Sequence, residues 1–182
     1  MWLKRLGIWL RRFRHRRGYG IHSPSAFAFV TGVIYERGEY YAYEPLRKKY
    51  RLRGRTLKHD RLMLRLANHV QPHTIIVPQG TPEHTQAHLQ AGCLTAKVVE
   101  AKLPAQAILL AAGERSMIIV PKLYEKADDV DNLDNIDHLD LFENLRKLSR
   151  VFVTYDLYDF GLICLDPTKH KQHYIINYES IY

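Results

Sequence analysis

The pattern of apolar and polar positions changes character near residue 74. Before it, apolar residues recur at helical spacing. Trp2, Leu6, Trp9 and Phe13 fall at i, i+4, i+7 and i+11 and form one stripe, with Arg5, Arg11, Arg12 and Arg16 largely off it. The Gly18-Tyr19-Gly20 turn ends that helix. A second helix is expected from Ser23 as N-cap, with Pro24 at the first helical position and Phe27, Val30 and Ile34 on the buried face. A third runs near Leu57–Val70 through Leu62, Leu66 and Val70, and Pro72 stops it.

From residue 74 the period shortens. Apolar runs at 74–77, 96–99 and 117–120 alternate with helical stretches at 82–91, 104–112 and 138–149. Runs at 151–157, 161–165 and 173–178 then follow with no helix between them. Strand–helix alternation predicts an α/β fold with a largely parallel sheet flanked by helices. The segment Asp156–Gly161 reads as a turn joining two antiparallel edge strands at the sheet's end. No internal repeat appears, so the expected organisation is a helical extension, 1–73, packed on an α/β core, 74–182.

Composition narrows the class. The 182 residues are 46% hydrophobic, enough for a real core. No apolar run approaches the roughly 18–20 residues that span a bilayer, and arginines interrupt any signal-like apolar stretch at the start. Cys93 and Cys164 are the only cysteines, so neither a disulfide framework nor a zinc cluster is implied, and a reduced, cytoplasmic protein is expected. The net charge of +8 is unevenly placed: residues 1–73 hold 17 Lys/Arg against 4 Asp/Glu, and residues 74–182 hold 10 against 15. Such asymmetry favours attraction of the N-terminal half to polyanions or to an acidic protein surface.

Four segments carry a family resemblance: RRGYGIHSPSAFAFVTGVI, EYYAYEPLRKKY, RLMLRLANHVQPHTIIV and VTYDLYDFGLICL. They resemble a bacterial, O-methyltransferase-like group of class I S-adenosylmethionine-dependent methyltransferases, over residues 11–81 and 146–178. The resemblance implies a Rossmann-like methyltransferase sheet, mostly parallel with an antiparallel C-terminal hairpin, behind an N-terminal helical extension. It also implies S-adenosylmethionine as cofactor and a small methyl acceptor. The family's E-L-G-T-S-x-G loop aligns on Pro78–His84, where Gly80 and Thr81 match its Gly-Thr pair. Glu100, at the end of the next strand, is implied as the acceptor for the ribose hydroxyls.

Two loop positions depart from that pattern. Pro78 replaces the acid and has no N–H to donate. His84 replaces the second glycine and puts a side chain where the backbone should approach a ligand closely. Thr81-Pro82 still makes a good helix start, with a cap and a first-position proline. The loop therefore reads as the shell of a cofactor site, and cofactor binding is expected to be weak or lost. No residue is assigned to the adenine, to the acceptor, to a catalytic role or to a metal.

Other chemistry-bearing stretches read more plainly. His84 and His88 share a helix face at i, i+4, but the zinc-protease glutamate is missing and a solvated face is expected. The acidic run 128–140 fails the EF-hand template, because Leu133 and Asp134 stand where an acid and a glycine are needed. It reads instead as a helix N-terminus, with Val130, Leu133, Ile136, Phe142 and Leu145 as the buried stripe. Tyr40, Tyr41 and Tyr43 are expected to pack, and His22 to act as a local cap. Two function classes remain open. One is an enzyme with Gly80, Thr81 and Glu100 as remnant cofactor contacts. The other is a non-catalytic interaction module whose basic segments, 4–17 and 47–61, meet nucleic acid, an anionic membrane surface or a protein partner.

Overall fold

The computed structural model describes residues 7, 10–101, 115–121, 123 and 138–178. The apolar runs after residue 74 become six strands: β1 (Thr74–Pro78), β2 (Lys97–Ala101), β3 (Ser116–Pro121), β4 (Val153–Asp156), β5 (Phe160–Leu165) and β6 (Gln172–Ile175). They form one sheet in the order β2-β1-β3-β5-β4-β6. β1 pairs parallel with β2 and β3, and β4 parallel with β6, whereas β5 is antiparallel to β3 and β4. The fold is α/β, with a mixed and mostly parallel sheet.

The continuous apolar runs are explained by burial on both faces of the sheet. Ile75, Val77, Met117, Ile119, Leu162 and Cys164 join one core cluster, and Ile76, Ile118, Val120, Ile163 and Leu165 join the other. Alternate side chains thus feed opposite layers, as strand geometry requires. The first layer is covered by α1 (Pro24–Phe29) and α3 (Gly54–Val70), with Leu89 of α4 (Glu83–Gly92). The second is covered by α5 (His138–Lys147) through Leu141, Phe142 and Leu145. The helices of residues 1–73 share a core with the sheet.

Several expectations need correction. The turn between β4 and β5 forms, with Tyr158 at φ 72°, but these are not edge strands. Every residue of β5 is buried, so it lies inside the sheet, and the half-exposed β6 takes the edge beyond β4. In α1, Ser23 caps as expected by accepting from the Ala26 N–H at 3.4 Å, while His22 is exposed. The helix continues as a π-turn, Val30–Ile34, and Phe29 rather than Phe27 faces inward, against the rings of Tyr155 and His69. Phe13 belongs to a 3-10 turn, Phe13–His15, and is exposed, because its neighbour Arg12 takes the inward position. The expected stripe residues Trp2, Leu6 and Trp9, the helix at 104–112, and Val130, Leu133 and Ile136 lie outside the described residues.

Helix α2 (Tyr43–Lys49) was not anticipated, although Pro45 falls in its first turn, where a missing N–H costs nothing. Of the three tyrosines, Tyr43 is buried, Tyr40 is half-buried and Tyr41 is exposed, with its hydroxyl donating to the Ala91 carbonyl at 2.9 Å. Helices α3 and α4 approach so closely that a Cβ on Gly92 would sit 2.2 Å from the Leu64 carbonyl oxygen. Both cysteines are buried and unpaired with each other. No helix among the described residues is long and apolar enough to cross a membrane.

Arg65 is the buried cation of α3. Its Nε donates to the Val33 carbonyl at 2.7 Å, and its two terminal nitrogens to the Ile34 carbonyl at 3.2 Å and the Tyr43 hydroxyl at 3.0 Å. Those carbonyls belong to the π-turn that ends the first helical segment, where backbone acceptors would otherwise be orphaned. Replacing Arg65 with Met should therefore lower stability by about 3–5 kcal/mol, because two buried carbonyls lose their donors. Tyr43→Phe should cost about 1 kcal/mol. Chemical denaturation of the two variants checks the order: near-equal losses would contradict the capping role.

Candidate functional site

The chain passes from β1 to β2 on one side and then places β3 on the other side of β1. In open α/β sheets the crevice at the carboxyl ends of strands, where the order reverses, is the general ligand position. Here that point is occupied by Gln79–Pro82, between β1 and α4. Gly80 takes φ 78°, which glycine adopts without strain, and open space surrounds the position of a Cβ there.

The donors of this loop are engaged within the protein. The Gly80 N–H donates to Glu100 Oε2 at 3.3 Å, and Gln86 Nε2 donates both to Glu100 Oε1 and to the Thr81 carbonyl. The Gln79 N–H goes to the Ala101 carbonyl at 3.1 Å, and the Thr81 N–H to the Pro78 carbonyl at 3.2 Å. The structure thus brings Gly80 and Glu100 together, with Gln86 as a third member that the sequence reading missed. Thr81 does not cap α4. Its hydroxyl donates back to the Pro78 carbonyl at 2.7 Å and closes the turn, and Pro82 is the N-cap residue.

The histidine face of α4 also differs from expectation. It is turned against α3, because Asp60 there is fully buried and draws the polar groups inward. His84 Nδ1 donates to Asp60 Oδ2 at 2.5 Å, and the Thr85 hydroxyl donates to Oδ1 at 2.8 Å. His88 is fully buried, with Nδ1 donating to the His84 carbonyl at 2.7 Å and Nε2 left without a partner. His59 stands 3.7 Å from Asp60 and sets its ring edge-on to Phe160. Burial alone would raise the pKa of Asp60. Hydrogen bonds from His59 and Thr85, with the charges of His84 and His88, outweigh it and hold the carboxyl below its usual value. The His84 ring consequently points to α3. Among the described residues, no group of three or more His, Cys, Asp or Glu is placed to hold a metal ion.

Pro78, with neither an acid nor an N–H, ends β1, and the Glu100 carboxylate is bonded to the Gly80 amide and the Gln86 side chain. Other space lies elsewhere: a cavity of about 660 Å³, lined in part by Phe29, His69, Arg115, Tyr155 and Lys169, opens near the amino ends of β3, β4 and β6. That is the end opposite the switch point. Comparison with known proteins found no matching family model and no matching curated protein.

Asp60 makes the α3–α4 contact pH-dependent in a defined sense. A carboxyl with a lower pKa in the folded chain stabilises the fold above its unfolded pKa, about 3.9, and that contribution is lost as pH falls through the folded value. Asp60→Asn should cost about 2–3 kcal/mol at pH 6, and the gap to the parent should narrow below about pH 4. Denaturation at stepped pH measures it; a gap that stays constant to the acid limit of folding would contradict the assignment.

Proposed function

We propose that this chain is a methyltransferase-like Rossmann domain in which S-adenosylmethionine binding is weak or lost, so that it works as an interaction module and not by methyl transfer. The observation that carries this reading is the Glu100 clasp: one carboxylate takes the Gly80 amide and the Gln86 side chain. In a working site of this type that acid and that amide would both face the ligand. Here each already has its partner, and Pro78 supplies neither an acid nor an N–H.

Magnitudes favour loss over mere attenuation. A hydrogen bond to a charged group is worth about 1.5–3 kcal/mol, and each 1.4 kcal/mol changes affinity about tenfold. Two such contacts missing move a micromolar site to about the millimolar range. The sheet order and the β1–loop–α4 unit support the Rossmann part of the reading, since both survive where the ligand groups do not.

Calorimetric titration with S-adenosylmethionine tests it. The expected dissociation constant is about millimolar or weaker. Saturation in the micromolar range would reject the reading and restore Gly80, Thr81 and Glu100 as cofactor contacts.

A further inference from the structure

We propose that residues 10–27 dock the protein on an anionic lipid surface. The inference goes beyond the loss of cofactor binding and does not depend on it. From Met1 to Tyr35 the chain contains no acid. Within this stretch Arg12 is spent on the fold. Its two terminal nitrogens bind the buried Asp156 carboxylate at 2.9 and 2.7 Å, and the His15 carbonyl accepts from the Asn177 N–H at 2.9 Å. These bonds hold the 3-10 turn against the carboxyl end of β4. Arg11, Arg14 and Arg17 are left exposed, and none of them makes an ion pair with a described residue.

The same segment exposes large apolar side chains. Leu10 is 59% exposed, Phe13 52%, Tyr19 74% and Phe27 46%, whereas only three other large hydrophobic residues among those described are comparably exposed. Two contacts tie parts of the segment together: the Phe27 ring lies against Gly18, 2.8 Å from where a Cβ would stand, and Arg16 sits 5.4 Å from the centre of the Phe13 ring. Aromatic rings and arginines side by side suit the interfacial layer of a membrane, where the rings sit at headgroup level and the cations meet lipid phosphate and carboxylate. Duplex nucleic acid would use the cations but not Leu10 or Phe27.

The second basic stretch argues by contrast. Arg47 is paired with Glu44, Lys49 with Glu83, Arg55 with Asp159 and Arg61 with Glu39. Arg51 and Arg53 of this stretch are exposed, but none of the exposed large apolar side chains lies within residues 47–61, so the stretch serves as a charge-only control and not as a second dock.

The chain has two tryptophans, Trp2 and Trp9, both just ahead of the patch in sequence, so tryptophan emission reports on the N-terminal end of the chain. The full chain is mixed with phosphatidylcholine vesicles, with or without about 30% phosphatidylserine, and followed by co-sedimentation and emission. Expected are binding and a blue shift with the anionic vesicles only, weakened at least about tenfold between about 50 and 300 mM salt. Arg11→Glu/Arg14→Glu/Arg17→Glu should bind about a hundredfold more weakly or worse. Phe13→Ser/Phe27→Ser should lose the blue shift. Arg51→Glu/Arg53→Glu should bind like the parent, and matching thermal midpoints for all variants confirm folding. Equal partition to neutral vesicles, no loss in the triple variant, or tight binding to a DNA duplex with vesicles ignored would overturn the proposal. Cofactor affinity is read separately at the Gly80 loop, so either inference can fail alone.

Discussion

Helix α3 must bury two ionisable side chains, and that constraint organises much of what surrounds it. Residues Leu62 through Ala67 are all buried, so Asp60 and Arg65 cannot reach bulk water. A buried charge is tolerated only with close hydrogen-bonding partners. Arg65 gathers the end of the first helical segment and the start of α2. Asp60 gathers the first turn of α4. One helix thus fixes the N-terminal helices on one side and the β1–α4 connection on the other. The close contact at Gly92 holds the two helices at the distance these bonds require.

That arrangement bears on function through position. His84 follows the Gly80 turn by four residues, and its ring is committed to Asp60. On the other flank, Glu100 and Gln86 close over the turn from β2 and α4. A loop that recognises a ligand keeps its donors aimed outward until the ligand arrives. In this loop the Gln79, Gly80 and Thr81 amides all donate within the protein. In the acid-free N-terminal sequence, Arg12 anchors to Asp156 while Arg11, Phe13 and Arg14 beside it are exposed.

The sheet was legible because its inner strands are buried on both faces, which makes them continuous apolar runs that length and spacing separate from helices. The placement of β5 was not, since antiparallel pairing reads the same whether a hairpin sits at an edge or inside a sheet. Phe27 and Phe29 are indistinguishable by hydropathy; the π-turn after Phe29 shifts the helical phase, and contact with Tyr155 decides between them. Pro45 hid α2. Gly80, Thr81 and Glu100 were singled out by resemblance, but the Gly80–Glu100 bond depends on a side-chain reach that spacing does not encode. Asp60 left a usable signal: it shares a helix face with Met63, Leu64 and Ala67, and it is one of four acids in the basic first 73 residues.

Amide hydrogen exchange at Gly80 reads the bond to Glu100 in the ligand-free protein. The Gly80 N–H should be protected in the parent chain and lose that protection in Glu100→Ala, with neighbouring β1 amides unchanged. An unprotected Gly80 amide that becomes protected only when S-adenosylmethionine is added would contradict it.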